Sequence, residues 1–520
     1  MTDASEAEMS PNDNGTRLHK SSPLFILIHV VIKSIIPLAF GVFTYGTSKY
    51  SNILVIAATV FIASFALLQY WFYHYWIKKE KIEIKEGIFF KNNRKVPYTR
   101  IQNVNVSQNP LQRIFKVATL QLESASGGKP EAVMRVVDLE VVERIKHKVK
   151  QANALVSASS VVTDGSGIEN SDTDADAVVG EKPLHTMSTF EVIKYGIISQ
   201  KGMFYGAIIF GFLAQNQVLM SAAYKYFDLF YSVPDFTKIT LAEGFVYVLV
   251  IGLVMFVFLQ LMSILWSLMK FYDFKIEKQG DRLQAHMGLL SKVAATIPLK
   301  KIQLYRLSEN PLHKFFKART LTIETAGGVN TDNSGIVMRW LAPSINTNKV
   351  RSFIHEIEPK IKLGSVDWQL IPYRAWKRVL KRSLFTLAFF SAILIGVASL
   401  PQITLKAYAW AIMVAMIPVC YFYSKNYVKK TAYYINDDII CFKSGVWFGK
   451  QSFVKISKIQ TVEILESPWD RRNKMATLEI DTAGSNPLLH HVRIPYLEIA
   501  DAYELQAFIQ NRLDETEFNW

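Results

Sequence analysis

Cysteine is nearly absent: Cys420 and Cys441 are the two in 520 residues. One lies in an apolar run and the other in a strand-like run, so neither a disulfide framework nor a thiolate zinc site is expected. Acidic charge is also short. Against 59 Lys and Arg stand 44 Asp and Glu, leaving a formal net charge of +15. The surplus reads as membrane topology, because Lys and Arg gather at the cytoplasmic ends of spans, and nucleic acid is not expected as a partner. The first residues lack a basic stretch before a short apolar core. A cleaved signal peptide is therefore not expected, and residues 1–16 read as a disordered tail.

Catalytic signatures are missing as well. His355-Glu356 opens like a zinc-protease helix, but Pro359 occupies the place of the second His. His490 and His491 are adjacent in a strand pattern and point to opposite faces. Gly127-Gly128-Lys129-Pro130 lacks the spacing of a phosphate loop. No enzyme activity, cofactor or metal is expected.

What the chain has is apolar residues, 50% of the total, concentrated in six long runs. They come in pairs: Ser34–Tyr45 with Ile53–Ile77, Met203–Ala222 with Gly244–Met269, and Leu384–Leu400 with Ala407–Tyr423. Most approach the ~20 residues that cross a hydrocarbon core. Aromatics cluster at exits, as at Trp71–Tyr73 and Tyr421–Tyr423, in the manner of an interfacial belt. Basic residues flank the pairs, and the loops within pairs are poorer in base. Both termini and all long polar segments are therefore expected in the cytoplasm. Each pair has a helical prelude, starting at Ser22, Ser188 and Leu370. Ser188 and Glu191 have capping-box spacing, and the third prelude alternates Trp376, Val379 and Leu380 with Arg and Lys. Lys33 then sits at the headgroups, at the end of the first prelude.

After each pair a polar sentence recurs. "RIQNVNVSQNPLQRIFKVATLQLESASGG" begins at Arg100, "KIQLYRLSENPLHKFFKARTLTIETAGG" at Lys301 and "KIQTVEILESPWDRRNKMATLEIDTAGS" at Lys458. Pro110 matches Pro311, 201 residues on, and Pro311 matches Pro468, 157 residues on. The register holds back to Gly87, Gly288 and Gly445 and forward to Ala125, Ala326 and Ala483. Alternation marks short strands, the Pro breaks them with a helical turn, and a helical pattern closes each copy. The unit is one prelude, one apolar pair and one small β domain.

A hydrophobic hairpin followed by a β domain with an "IQ…NP…TL.I.TAGG" core resembles the bacterial pleckstrin-homology-like (bPH type 2) membrane proteins of the YdbS/YdbT type. The resemblance implies an α+β integral membrane protein with a PH-like fold, and no reaction. The expected fold is six transmembrane helices in three hairpins, each followed by a small antiparallel PH-like domain closed by a C-terminal helix. The boundaries read as hairpin 17–77, domain 78–150, acidic linker 151–186, hairpin 187–270, domain 271–360, hairpin 361–424 and domain 425–513. The third copy departs from the pattern, with Ser467-Pro468-Trp469 for Asn-Pro-Leu.

Two sets of cations are shared. Arg113, Lys314 and Arg471 lie three residues after the proline, and Arg135, Arg339 and Arg493 lie on the last strand. They are candidates for headgroup or partner binding, since Arg presents bidentate geometry to phosphate. The competing expectation is structural: pairing with Glu123, Glu324 or Asp481 inside each domain. Shared Gln102, Gln303 and Gln460 read as structural. The expected function is a non-enzymatic inner-membrane protein that binds lipid headgroups or partner proteins, with a scaffold role in envelope stress or resistance to membrane-active agents. A transporter or lipid-transfer device is the rival, supported by Gln215, Asn216 and Gln217 in a span.

Overall fold

The computed structural model describes residues 16–25, 27, 57, 60, 61, 64, 67, 68, 70–87, 91–124, 131–161, 183–215, 220, 221, 225, 241–326, 340–359, 361, 367–398, 406–482 and 492–515. Repeat 1 supplies β1 (Thr16–Arg17), β2 (His74–Ile77), β3 (Lys81–Glu86), β4 (Asn92–Pro97), β5 (Ile101–Gln108), β6 (Val117–Ser124) and β7 (Ala132–Asp138). Helix α1 (Pro110–Ile114) follows β5, and α2 (Leu139–Val161) follows β7. Repeat 2 supplies β8 (His185–Thr186), β9 (Lys275–Gln279), β10 (Arg282–Met287), β11 (Lys292–Pro298), β12 (Ile302–Glu309), β13 (Ala318–Thr325) and β14 (Trp340–Asn346). Its helices are α3 (Thr189–Ile198), α4 (Lys201–Gln215), α5 (Leu241–Phe271), α6 (Pro311–Phe315) and α7 (Val350–Ile357). Repeat 3 supplies β15 (Gln369–Leu370), β16 (Ala432–Ile435), β17 (Ile439–Ser444), β18 (Gly449–Lys455), β19 (Ile459–Leu465), β20 (Met475–Thr482) and β21 (Val492–Glu498). Its helices are α8 (Trp376–Ala398), α9 (Lys406–Lys430), α10 (Pro468–Arg472) and α11 (Ile499–Glu515).

Sheets and repeats are out of phase. β1 to β4 form a four-stranded sheet, and β19 to β21 a three-stranded one. Between them lie two seven-stranded sheets, ordered β7-β6-β5-β11-β10-β9-β8 and β14-β13-β12-β18-β17-β16-β15. Each joins the last three strands of one repeat to the first four of the next, all antiparallel. The cores largely follow the repeats and join two sheets within each, but between repeats 2 and 3 they also cross the junction. Phe274, Leu283, Leu321 and Phe353 of repeat 2 share a buried cluster with Cys441 and Phe453 of repeat 3. Leu304 of repeat 2 is buried with Ile440, Leu478 and Ile509 of repeat 3. Hydrophobic stabilisation, about 25 cal/mol per Å² buried, therefore accrues across the second junction as well as within repeats.

Period-2 alternation explains the strands: in β10, Leu283, Ala285 and Met287 are buried between more exposed neighbours. The turn after that strand needs glycine. Gly288 and Gly445 have φ of +109° and +106°, and a Cβ would meet Ser291 O at 1.9 Å and Phe448 O at 2.0 Å. Among the helices, α3 and α4 lie close on α5. Ser263 Oγ donates to Gly196 O at 2.8 Å and Ser267 Oγ to Val192 O at 3.0 Å. A Cβ on Gly202 would meet Ser263 Cα at 2.3 Å.

The helices correct the expected fold of six spans in three hairpins. Among the described residues, one helical segment is long and apolar enough to cross a membrane: Leu249–Phe271 of α5, 23 residues with a mean hydropathy of 2.5. Helix α4 has 15 residues, about 22 Å at 1.5 Å per residue against a core of about 30 Å. Helix α8 spends its first two turns on Lys377, Arg378, Lys381 and Arg382. Helix α9 contains Pro418 and ends in Lys429 and Lys430. The first apolar pair falls mostly outside the described residues, as do Asn216 and Gln217. The sheets cross between repeats, while the buried cluster of repeat 1, from Leu18 to Val149, is drawn from that repeat alone. Helix α2 continues to Val161, into the stretch expected as linker, and 162–182 lie outside the described residues.

Candidate membrane-facing site

Each repeat folds its Asn-Pro or Ser-Pro dipeptide into the same small tip. Proline at the first helical position is pre-set for a helix and has no N–H to lose there. The residue before it caps the turn. Asn310 Oδ1 accepts from His313 N at 2.8 Å, and Ser467 Oγ accepts from Asp470 N at 3.2 Å. In return Gln112 Oε1 accepts from Asn109 N at 2.9 Å, and Asp470 Oδ2 from Ser467 N at 3.3 Å. Ser467 thus caps the third tip as Asn310 caps the second. The third helical residue, Gln112, His313 or Asp470, is buried under each tip. Gln112 Nε2 donates to Thr119 Oγ1 at 3.0 Å, and His313 Nε2 lies 3.0 Å from Thr320 Oγ1. Burial pushes the His313 imidazole down to about 4. Each tip then exits through a left-handed lysine: Lys116, Lys317 and Lys474 have φ of +53°, +50° and +52°.

The outer face of each tip is apolar and cationic together. Arg113, Lys314 and Arg471 are all exposed. Beside them Ile114 is 74% exposed, Phe315 79% and Trp469 57%. Ile114 and Phe315 are equivalent positions, and Trp469 stands on the other side of the cation in the third tip; large apolar side chains at such exposure on all three tips mark a contact surface.

Every tip also touches the prelude helix of its own repeat. Phe25 lies edge-on to Phe115 with ring centroids 6.0 Å apart. Asn310 Nδ2 donates to Ile198 O at 3.2 Å. Arg378 on α8 donates to Asp470 Oδ1 at 2.7 Å and to Ser467 Oγ at 3.0 Å. Burial opposes ionisation of Asp470, but the Arg378 and Ser467 hydrogen bonds outweigh it and hold the carboxyl below its ordinary value.

The second set of cations does not assemble in this way. Arg493 faces Glu479 across β20 and β21, with Nη2 2.9 Å from Oε1. Its place opposite Glu479 is taken in repeat 1 by Val133, which lies opposite Gln121, so Arg135 and Arg493 occupy different positions. Arg135 is half-buried on β7, and Arg339 lies outside the described residues. Of the expected acidic partners, Glu324 pairs with Arg306 at 2.9 Å, while Glu123 accepts from Asn105 at 2.9 Å. Sequence reading missed Trp469, Phe315, Ile114 and Arg378 as site residues. The signal for the first three was their place beside the shared cation, one position from it or two.

These tips, mounted on repeated antiparallel units each closed by a helix, define a chain built three times from one module. It belongs to the bacterial PH domain family, which matches residues 25–153, 207–354 and 384–513. It is similar to the UPF0699 transmembrane protein YdbT of Bacillus subtilis (strain 168), with 25% identity over 480 residues, 90% of this chain and 93% of that protein. No solved structure matches the chain.

Proposed function

We propose that this is a membrane-anchored, non-enzymatic protein whose three tips rest on the bilayer surface and hold anionic headgroups. The carrying observation is the pairing of an exposed cation with an exposed apolar side chain on each tip, next to a helix that leads into an apolar run. Ile114, Phe315 and Trp469 enter the headgroup layer. Arg113, Lys314 and Arg471 meet phosphate there, each gaining about 1 kcal/mol at an anionic surface. Anchoring through α5 raises the local concentration of the tips at the membrane, so none needs high affinity alone.

Other side chains support the same placement. Lys270 lies over the Trp340 ring at 4.1 Å and Lys425 over the Tyr421 ring at 4.4 Å. Such aromatic and cationic pairs suit the interface, where one end is apolar and the other wet. The transmembrane label of the Bacillus relative agrees with an anchored protein. The cationic ends of the helices favour the cytoplasmic side of a bacterial inner membrane for the sheets.

The test is amide hydrogen exchange of the full chain in nanodiscs of neutral or anionic lipid. Segments 110–116, 311–317 and 468–474 should be more protected on anionic lipid. Replacing Arg113, Lys314 and Arg471 together by Ala should abolish that difference. Equal protection on both lipids would sink the headgroup reading.

A further inference from the structure

The two junctions between repeats use one register. β5 meets β11 with Gln108 opposite Lys292, Ser107 opposite Val293 and Val106 opposite Ala294. β12 meets β18 with Glu309 opposite Gly449, Ser308 opposite Lys450 and Leu307 opposite Gln451. By the repeat spacing these are the same positions. Among the described residues, two strands stand at the ends of their sheets, β4 in repeat 1 and β19 in repeat 3. They are the counterparts of β11 and β5, the two strands that meet at the first junction.

Carrying the register over sets Glu466 opposite Lys91, Leu465 opposite Asn92, Ile464 opposite Asn93 and Glu463 opposite Arg94. Two of these four are opposite-charge pairs, which favour an antiparallel match. We propose that β4 of one copy pairs with β19 of a second copy, head to tail, in the register of the internal junctions.

The open edges look like junction surfaces awaiting cover. Leu465 is 41% exposed. Gln460 is exposed, whereas its counterpart Gln303, under a formed junction, is 4% exposed. Charge on an edge strand ordinarily guards it against pairing. A guard needs no particular sign, however, and here the two edges carry opposite signs at facing positions. Arg94 already touches Glu131 O at 3.1 Å and Glu86 at 3.8 Å, and its side chain remains 44% exposed toward a newcomer. A third match lies beyond the strands. At the first junction the Lys301 charge of repeat 2 acts on Glu123 of repeat 1. The counterparts at the open ends are Arg100 and Asp481.

Part of β19 is covered, because Gln506 Nε2 of α11 donates to Val462 O at 3.0 Å. The half from Glu463 onward stays clear of that contact. The first junction is equally short, with three residue pairs beside the long helix α2. The contact is heterologous, so copies anchored in one bilayer would close into rings or extend as rows.

Cross-linking tests this with full-length chains whose Cys420 and Cys441 are replaced by Ser. Chains carrying Asn92→Cys and differently tagged chains carrying Leu465→Cys are co-reconstituted in liposomes and oxidised. A disulfide-linked species bearing both tags is expected. The internal control is Ser107→Cys with Val293→Cys in one chain, the same pair of positions at the first junction. Lys91→Glu with Arg94→Glu should lower the inter-chain yield by about tenfold, and Glu463→Lys with Glu466→Lys on the other chain should restore it. No doubly tagged species while the internal control links would overturn the proposal. So would a chain bearing both Asn92→Cys and Leu465→Cys that links within itself, without gain in mass.

Discussion

Arg378 Nε donates to Asp470 Oδ1 at 2.7 Å, joining the amphipathic start of α8 to the tip of repeat 3. Both side chains are largely buried, at 16% and 11% exposure. Removing one partner of such a pair leaves the other charge buried and uncompensated. Arg378→Ala should therefore cost on the order of 2–4 kcal/mol, and Arg378→Lys should recover little, since the ammonium cannot reproduce both fork contacts. Urea unfolding of the detergent-solubilised chain, with a double-mutant cycle to Asp470→Asn, measures the coupling. The Asp470 carboxyl is held low, so this contribution is complete above the ordinary carboxylate range and is lost as pH falls through the lowered value.

His313 gives a second acid-sensitive point. Its folded value of about 4 lies below the ordinary 6.5, so the folded protein prefers the neutral ring. The stability it allows is full above 6.5 and falls away between 6.5 and about 4. Repeat 1 has Gln112 at the same place, with the same bond to a threonine. His313→Gln should thus preserve the tip and flatten the pH dependence over that window. Thermal unfolding at pH 7 and pH 4.5 of both chains checks this, with a smaller drop expected for the variant.

Backbone strain separates two glycines in one hairpin region. Gly288→Ala puts a side chain at φ +109° and against Ser291 O, and should cost about 2 kcal/mol or more. Gly280 has φ +55° with nothing within 4 Å of a built Cβ. Gly280→Asn should cost under about 1 kcal/mol, because Asn tolerates the left-handed region. Chemical denaturation of the two variants side by side decides it.

Helix packing yields a similar contrast. Gly202→Val would force α4 away from Ser263, whereas Gly252 has nothing within 4 Å. Gly202→Val should lower the unfolding midpoint and raise protease sensitivity of the 201–215 segment. Gly252→Val should leave both near the parent, since it meets no packed neighbour.

Much of this was legible in the residues. The gapless match of Pro110, Pro311 and Pro468 located the tips, and Gly87, Gly288 and Gly445 located the turns, with φ of +107°, +109° and +106°. These are local requirements, written at the residue that meets them. The sharing of sheets was not legible. Alternation in β5 or β12 says that one face is buried, but not which strand hydrogen-bonds to the edge. Gln303 looked structural without revealing that the strand it lies on is joined to the next repeat. The apolar runs misled in number: six were read as spans, whereas among the described residues one helical segment, Leu249–Phe271, is long and apolar enough to cross. Helix α8 starts at Trp376 and uses its early turns to seat Arg378 on Asp470 rather than to enter hydrocarbon. At the tip, the match in three copies singled out the cation as a candidate, while the exposure of Phe315 and Trp469 beside it is legible only in the fold.

The half-unit offset between repeat and sheet has a consequence for how such a chain can grow. Excising one whole period, from a point in one copy to the matching point in the next, splices a strand onto its own equivalent. The shortened polypeptide keeps a matched donor edge and acceptor edge at its ends, and loses one seven-stranded sheet without exposing a new flank. Duplication adds one by the same arithmetic. Chains shortened or lengthened in this way would differ in the number of seven-stranded sheets and not in the register at which their repeats join.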